Sequence, residues 1–151
     1  MKIPLTIRTY SEGPKPFGEL HVRYNPSRGR TVRGLFQAFV DTGSPFTFIG
    51  QTDALRLGIA PSGTPRTVRI GGSPVNVFPI KNMTIKVMSD DDKICDISMP
   101  EIGLAMPLEN NRLSRENTST LPSIIGVDLL KHHKLAFFFD VCNDISYLEN
   151  P

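Results

Sequence analysis

Along much of this chain apolar and polar residues alternate with a period of two. Ile3-Pro4-Leu5-Thr6-Ile7, Leu20-His21-Val22-Arg23-Tyr24, Val75-Asn76-Val77-Phe78, Met83-Thr84-Ile85-Lys86-Val87 and Ile94-Cys95-Asp96-Ile97-Ser98-Met99 all show it. Each predicts a strand with one face toward a core and one toward water, and Gly, Pro, Asn or Asp stands between them. Two other runs, Leu35-Phe36-Gln37-Ala38-Phe39-Val40 and Leu135-Ala136-Phe137-Phe138-Phe139-Asp140, are apolar almost throughout and read as buried strands. Helical character is confined to Thr52–Gly58 and to the residues after Gly126. Many short strands with turn signals predict an all-β, closed structure with one or two short helices.

The first of the two apolar runs ends in a carboxylate followed by small and hydroxyl residues, Asp41-Thr42-Gly43-Ser44. Gly43 supplies the backbone freedom for the chain to reverse there. Asp41 is then expected at the strand's buried end, with Ser44 and the amides around Gly43 as donors that fix its carboxylate in one orientation. Alone, the four residues are also ordinary turn formers. A second feature, Ser123-Ile124-Ile125-Gly126-Val127-Asp128-Leu129-Leu130, is an apolar pair, a glycine and the start of an amphipathic helix. Packed beneath the Asp41 loop, it would wall that loop off from water.

With both features in place, the chain resembles the retropepsin-like aspartic proteases, in which an Asp-Thr-Gly loop is paired in space with a hydrophobic-hydrophobic-Gly segment leading into a short helix. The resemblance continues between them: Thr52–Gly58 looks like the helix after the catalytic loop, and Thr67–Val77 like the flap hairpin. These landmarks span residues 35 to 140. The resemblance implies a retropepsin-like barrel with Asp41 catalytic and Thr42, Gly43 and Ser44 supporting its loop. Ile70, Gly71, Gly72 and Ser73 fall in the flap, while Ile124, Ile125 and Gly126 pack against the catalytic loop. The chain holds one Asp-Thr-Gly and is too short for two lobes, so the second carboxylate must come from another copy. The activity implied is that of a homodimeric aspartic endopeptidase acting on protein or peptide, with no cofactor and no metal.

Departures from the viral members concern the dimer. Pro45 and Val127 stand where an acid and an arginine commonly brace it, and the flap lacks a tyrosine. Strands at the chain ends, including Ile145-Ser146-Tyr147-Leu148, are then candidates for the interface. Two other readings use the same residues: a catalytically silent retropepsin-like module that dimerises or binds an extended peptide, and an unrelated small β-barrel that carries Asp-Thr-Gly-Ser by chance.

Composition narrows the partners. Seventeen Lys and Arg against fifteen Asp and Glu leave a net charge of +2, which argues against an obligate nucleic-acid partner, and Arg28, Arg30 and Arg33 read as a solvated face. Met1–Arg8 lacks the apolar core of a secretory signal, and no apolar run reaches bilayer length, so no membrane partner and a cytoplasmic location are expected. Cys95 and Cys142 are expected as buried free thiols. Ser89-Asp90-Asp91-Asp92-Lys93 reads as a hairpin turn and not a calcium loop, and His132-His133 as a helix end. Met106 to Pro122, polar and without period, is expected to be a long exposed loop inserted in a single domain of residues 1–151: a gate, a partner site, a self-cleavage site or a tolerated insertion.

Overall fold

The computed structural model describes residues Met1–Pro151. In chain order its elements are β1 (Lys2–Pro4), β2 (Thr6–Tyr10), β3 (Gly13–Tyr24), β4 (Val32–Val40), β5 (Phe48–Ile49), α1 (Gln51–Leu57), β6 (Arg66–Ile70), β7 (Ser73–Ile80) and β8 (Met83–Met88). There follow β9 (Ile94–Asp96), β10 (Ile102–Pro107), α2 (Arg112–Thr120), β11 (Ser123–Ile125), α3 (Val127–His132), β12 (Ala136–Asp140) and β13 (Ile145–Glu149).

The alternating runs become strands because their apolar side chains share one buried layer. Leu20, Val22 and Tyr24 of β3, Phe36, Ala38 and Val40 of β4, and Met83, Ile85 and Val87 of β8 all enter the main core. Strands β3 and β4 pair antiparallel over eight residues, from Phe17↔Phe39 to Tyr24↔Val32. They lie in a ten-stranded sheet whose path runs β6-β7-β10-β5-β11-β4-β3-β8-β9, with β2 paired to β3. A smaller sheet, β1-β13-β12, joins the two chain ends.

Several expectations are corrected. The large sheet does not close: β6 and β9 are its free edges, so the β-structure is not a barrel. Three helices form, one more than expected, because Met106 to Pro122 is no exposed loop. Its first residues finish β10, and the rest winds into α2 with Ser114 and Thr118 fully buried. The run Ile3–Ile7 is divided between β1 and β2, and the run from Ile94 keeps strand geometry only as far as Asp96. Neither thiol is buried, since Cys142 is exposed and Cys95 half-buried. Arg28, Arg30 and Arg33 are exposed, and Ser89–Lys93 is the turn between β8 and β9, closed by the Ser89 hydroxyl on Lys93 and Asp91. No helix is long and apolar enough to cross a membrane.

Candidate active site

Two strands running parallel position the Asp41 loop. β11 lies beside β4 with Ile124↔Phe39 and Ile125↔Val40 in register, so both strands end at the same level. The Asp41 amide donates to the Ile125 carbonyl at 3.1 Å, which joins the two ends. Beyond Asp41 the chain turns back: the Ser44 amide donates to the Asp41 carbonyl at 3.1 Å, and the Gly43 amide donates to Asp41 Oδ1 at 2.8 Å. One oxygen of a half-buried carboxylate is thereby fixed by the backbone of its own turn. Asp41 Oδ2 accepts no hydrogen bond within the chain. Ser44 does not act as expected, since its hydroxyl donates to the Phe46 carbonyl at 2.8 Å and braces the next turn instead of the carboxylate. Thr42 is exposed.

Gly126 is required by close approach. Its backbone is extended (φ −95°, ψ −179°), which any residue adopts, but a Cβ there would fall on the carbonyl of Phe46. That contact lets the Val127 amide donate to the Ser44 carbonyl at 2.9 Å. Ile124 and Ile125 are both buried, as expected, Ile125 in the main core and Ile124 in a smaller cluster with Phe48, Val75, Val77 and Ala105.

Thr47 escaped sequence reasoning. It is 3% exposed, its hydroxyl accepts from the Gly126 amide at 2.9 Å and donates to Asp128 Oδ1 at 2.7 Å, and that same oxygen accepts from the Leu129 amide at 2.8 Å. Its partners lie 79 and 81 residues away, so no local pattern announces it. Thr47 lies two residues after Pro45, and Asp128 directly follows Val127. A neutral hydroxyl and one carboxylate tie the Asp41 loop to α3 here.

Gly71 (φ 60°) and Gly72 (φ 79°) are both left-handed and join β6 to β7 in a two-residue hairpin turn, as glycine favours. Arg69 Nη1 donates to the Gly72 carbonyl at 3.1 Å. Ile70 is half-buried, and Ser73 is fully buried with a hydroxyl that has no partner. Within this one chain the hairpin tip makes no hydrogen bond to the Asp41 loop. Between loop and hairpin base lies a cavity of about 260 Å³, lined by Phe46, Thr47, Arg66, Val77, Gly103 and Asp128 among others. The Arg66 guanidinium sits over the Phe46 ring, 4.3 Å from its centroid. His132 and His133 stand edge-on, and His133 Nε2 is bonded to the Ser98 carbonyl at 2.9 Å.

In fold the chain is similar to the crystal structure of a retropepsin-like aspartic protease from Rickettsia conorii, with a TM-score of 0.51 and 18% identity over 98% of this chain and 88% of that one. No family model matches the chain, and no curated protein matches it in sequence. Its fold is thus that of the retropepsin-like aspartic proteases, with Asp-Thr-Gly on the turn after β4 and Ile-Ile-Gly at the end of the parallel strand beside it.

Proposed function

We propose that the protein is a homodimeric aspartic endopeptidase in which Asp41 of each chain supplies half of the catalytic pair. The observation that carries this is the Asp41 carboxylate itself: Oδ1 is held by the Gly43 amide, Oδ2 is unpaired, and the loop is fastened at Asp41, Ser44 and Thr47 to β11 and α3. A surface turn has no need of that framework. Two such carboxylates brought together across a two-fold axis cannot both ionise cheaply, so the pair holds one proton. The ionised member takes a proton from a water held between them, and the water oxygen attacks the peptide carbonyl carbon. The protonated member donates to the developing oxyanion. Return of a proton to the nitrogen then lets the carbon–nitrogen bond break. The β6–β7 hairpin is the flap, folding over an extended peptide, and Thr42 bonds across the axis to the partner chain. Residues 1–151 form one domain, and its substrate is a protein or peptide in extended form.

Asp41→Asn keeps the size of the side chain and its acceptor oxygen but removes the base. The variant is expected to keep the wild-type melting temperature and sedimentation coefficient while losing cleavage of a diverse peptide mixture between acidic and neutral pH. Cleavage at the wild-type rate by protease-free Asp41→Asn rejects the assignment. Because each site needs two chains, specific activity is also expected to climb with concentration before levelling.

A further inference from the structure

Helix α2 is hydrogen-bonded to the β6–β7 hairpin through one side chain, that of Ser114. Asn111 starts the helix, its side-chain oxygen accepting from the Ser114 amide at 2.9 Å. One turn in, Ser114 is 0% exposed. Its hydroxyl donates to the Pro74 carbonyl at 2.6 Å and accepts from the Leu108 amide at 2.9 Å. Pro74 sits opposite Arg69 in a pair of the hairpin that is not hydrogen-bonded, so its carbonyl points away from β6 and Ser114 supplies a tether from outside. At its far end α2 touches α1, where the Thr52 hydroxyl donates to the Ser119 carbonyl at 3.2 Å. The helix therefore reaches from the element that follows the Asp41 loop to the hairpin that faces it.

Directly before Pro74, the Ser73 hydroxyl is buried and bonded to nothing. A buried hydroxyl without a partner disfavours the conformation that buries it, whereas one that clamps a buried carbonyl favours it. Adjacent residues of one strand thus feel opposite pulls: Ser114 holds Pro74 down, and Ser73 gains water whenever the tip lifts.

We propose that Ser114 is a positioning residue that latches the hairpin at Pro74 against the opposing pull of the unpartnered Ser73 hydroxyl, so that α2 sets how readily the hairpin tip opens. Its consequence for catalysis rests on the endopeptidase reading, in which the hairpin is the flap; the latch itself does not.

Native-state amide exchange of the full chain tests it, with β6 and β7 amides read against those of β3 and β4 as an internal reference. Ser114→Ala is expected to speed hairpin exchange about fivefold, the equivalent of one hydrogen bond's net contribution. Ser73→Ala is expected to slow it. Thr118→Val removes the other buried hydroxyl of α2, which bonds only within the helix to the Ser114 carbonyl, and is expected to leave the hairpin unchanged. Unchanged hairpin exchange in folded Ser114→Ala, or equal acceleration in Thr118→Val, overturns the latch. Should Ser114→Ala fail to fold, Ser73→Ala decides: slower exchange supports the proposal, and unchanged or faster exchange overturns it. Exchange needs no cleavage, so a failed latch and a failed endopeptidase reading are separate results. If peptide is cleaved, a loosened hairpin is expected to raise KM more than it changes kcat.

Discussion

Thr47→Val is the sharpest test of how the Asp41 loop is held. Valine matches threonine in shape but offers no hydroxyl, so two bonds vanish without a cavity. The Gly126 amide, in a buried residue, loses its acceptor, which costs about 1–3 kcal/mol. Asp128 loses a donor, but it is half-buried, keeps the Leu129 amide and can recruit water, so about 1 kcal/mol is appropriate there. The sum is about 2–4 kcal/mol. At this chain length each kcal/mol moves Tm by about 2–4 °C, so a fall of about 4–16 °C is expected in thermal unfolding followed by circular dichroism at fixed protein concentration. Thr47→Ser keeps the hydroxyl and loses one methyl, a change of about 1 kcal/mol. Equal falls in the two variants would mean that the methyl, not the hydroxyl, holds the loop, and the reasoning would be refuted.

Gly126→Ala places a Cβ on the Phe46 carbonyl, backbone against backbone, and is expected to lower Tm at least as far as Thr47→Val and to abolish cleavage; a Tm within 2 °C of wild type, on the order of a single surface change, rejects the close approach. Gly71→Ala meets open space but keeps a positive φ, so about 1–2 kcal/mol is expected and no more, read by urea unfolding. Acid should weaken the fold through three aspartates. Lys93 and the Ser89 hydroxyl hold Asp91 at about 2, the Ser98 hydroxyl and amide lower Asp96, and Asn143 with the Cys142 amide lowers Asp140. A carboxylate whose folded pKa is depressed contributes stability above its unfolded pKa and loses it as pH falls through the folded one, so the urea midpoint should decline from about pH 4 toward 2. Asp96→Asn should flatten part of that decline, and a midpoint that rises over this window contradicts the assignment. Cys142, exposed on the turn after β12, should react with a thiol reagent in the native protein well before Cys95; matched rates would contradict the placement.

What could be read from the sequence was whatever a local pattern encodes. The alternation at Leu20–Tyr24 and Met83–Val87 states directly which side chains enter the core, and both runs lie within strands. Asp41-Thr42-Gly43 and Ile124-Ile125-Gly126 are short motifs whose proximity followed from resemblance, and the parallel pairing of β4 with β11 places them together. What stayed hidden was decided by distant partners. α2 has no apolar stripe: its buried face is Ser114 and Thr118, and its contact with β7 is made by a hydroxyl, so hydrophobic periodicity has nothing to register. β5, only Phe48–Ile49, sits between β10 and β11 in the sheet although no run of its length predicts a strand. Strand count and turn signals also say nothing about whether outer strands meet, and β6 and β9 do not. The Ser44 hydroxyl, expected on its chemistry alone to bond Asp41, donates to the nearby Phe46 carbonyl instead.

Pairing of β1 with β13, Lys2 opposite Glu149 and Pro4 opposite Tyr147, gives the molecule an almost circular chain path. Both ends leave from the same end of one small sheet, and the Leu5 amide fastens the start of the chain to the Ser146 carbonyl at 2.9 Å. A short linker between the ends, with new termini cut at an exposed turn such as Ser89–Lys93, is a permutation this topology permits without re-routing a strand. Pulled apart by those same ends, the protein would open like a zipper, β1 peeling from β13 one rung at a time. Because neither strand has to be lent to a neighbour, two folded copies can meet and part without either losing its own seam.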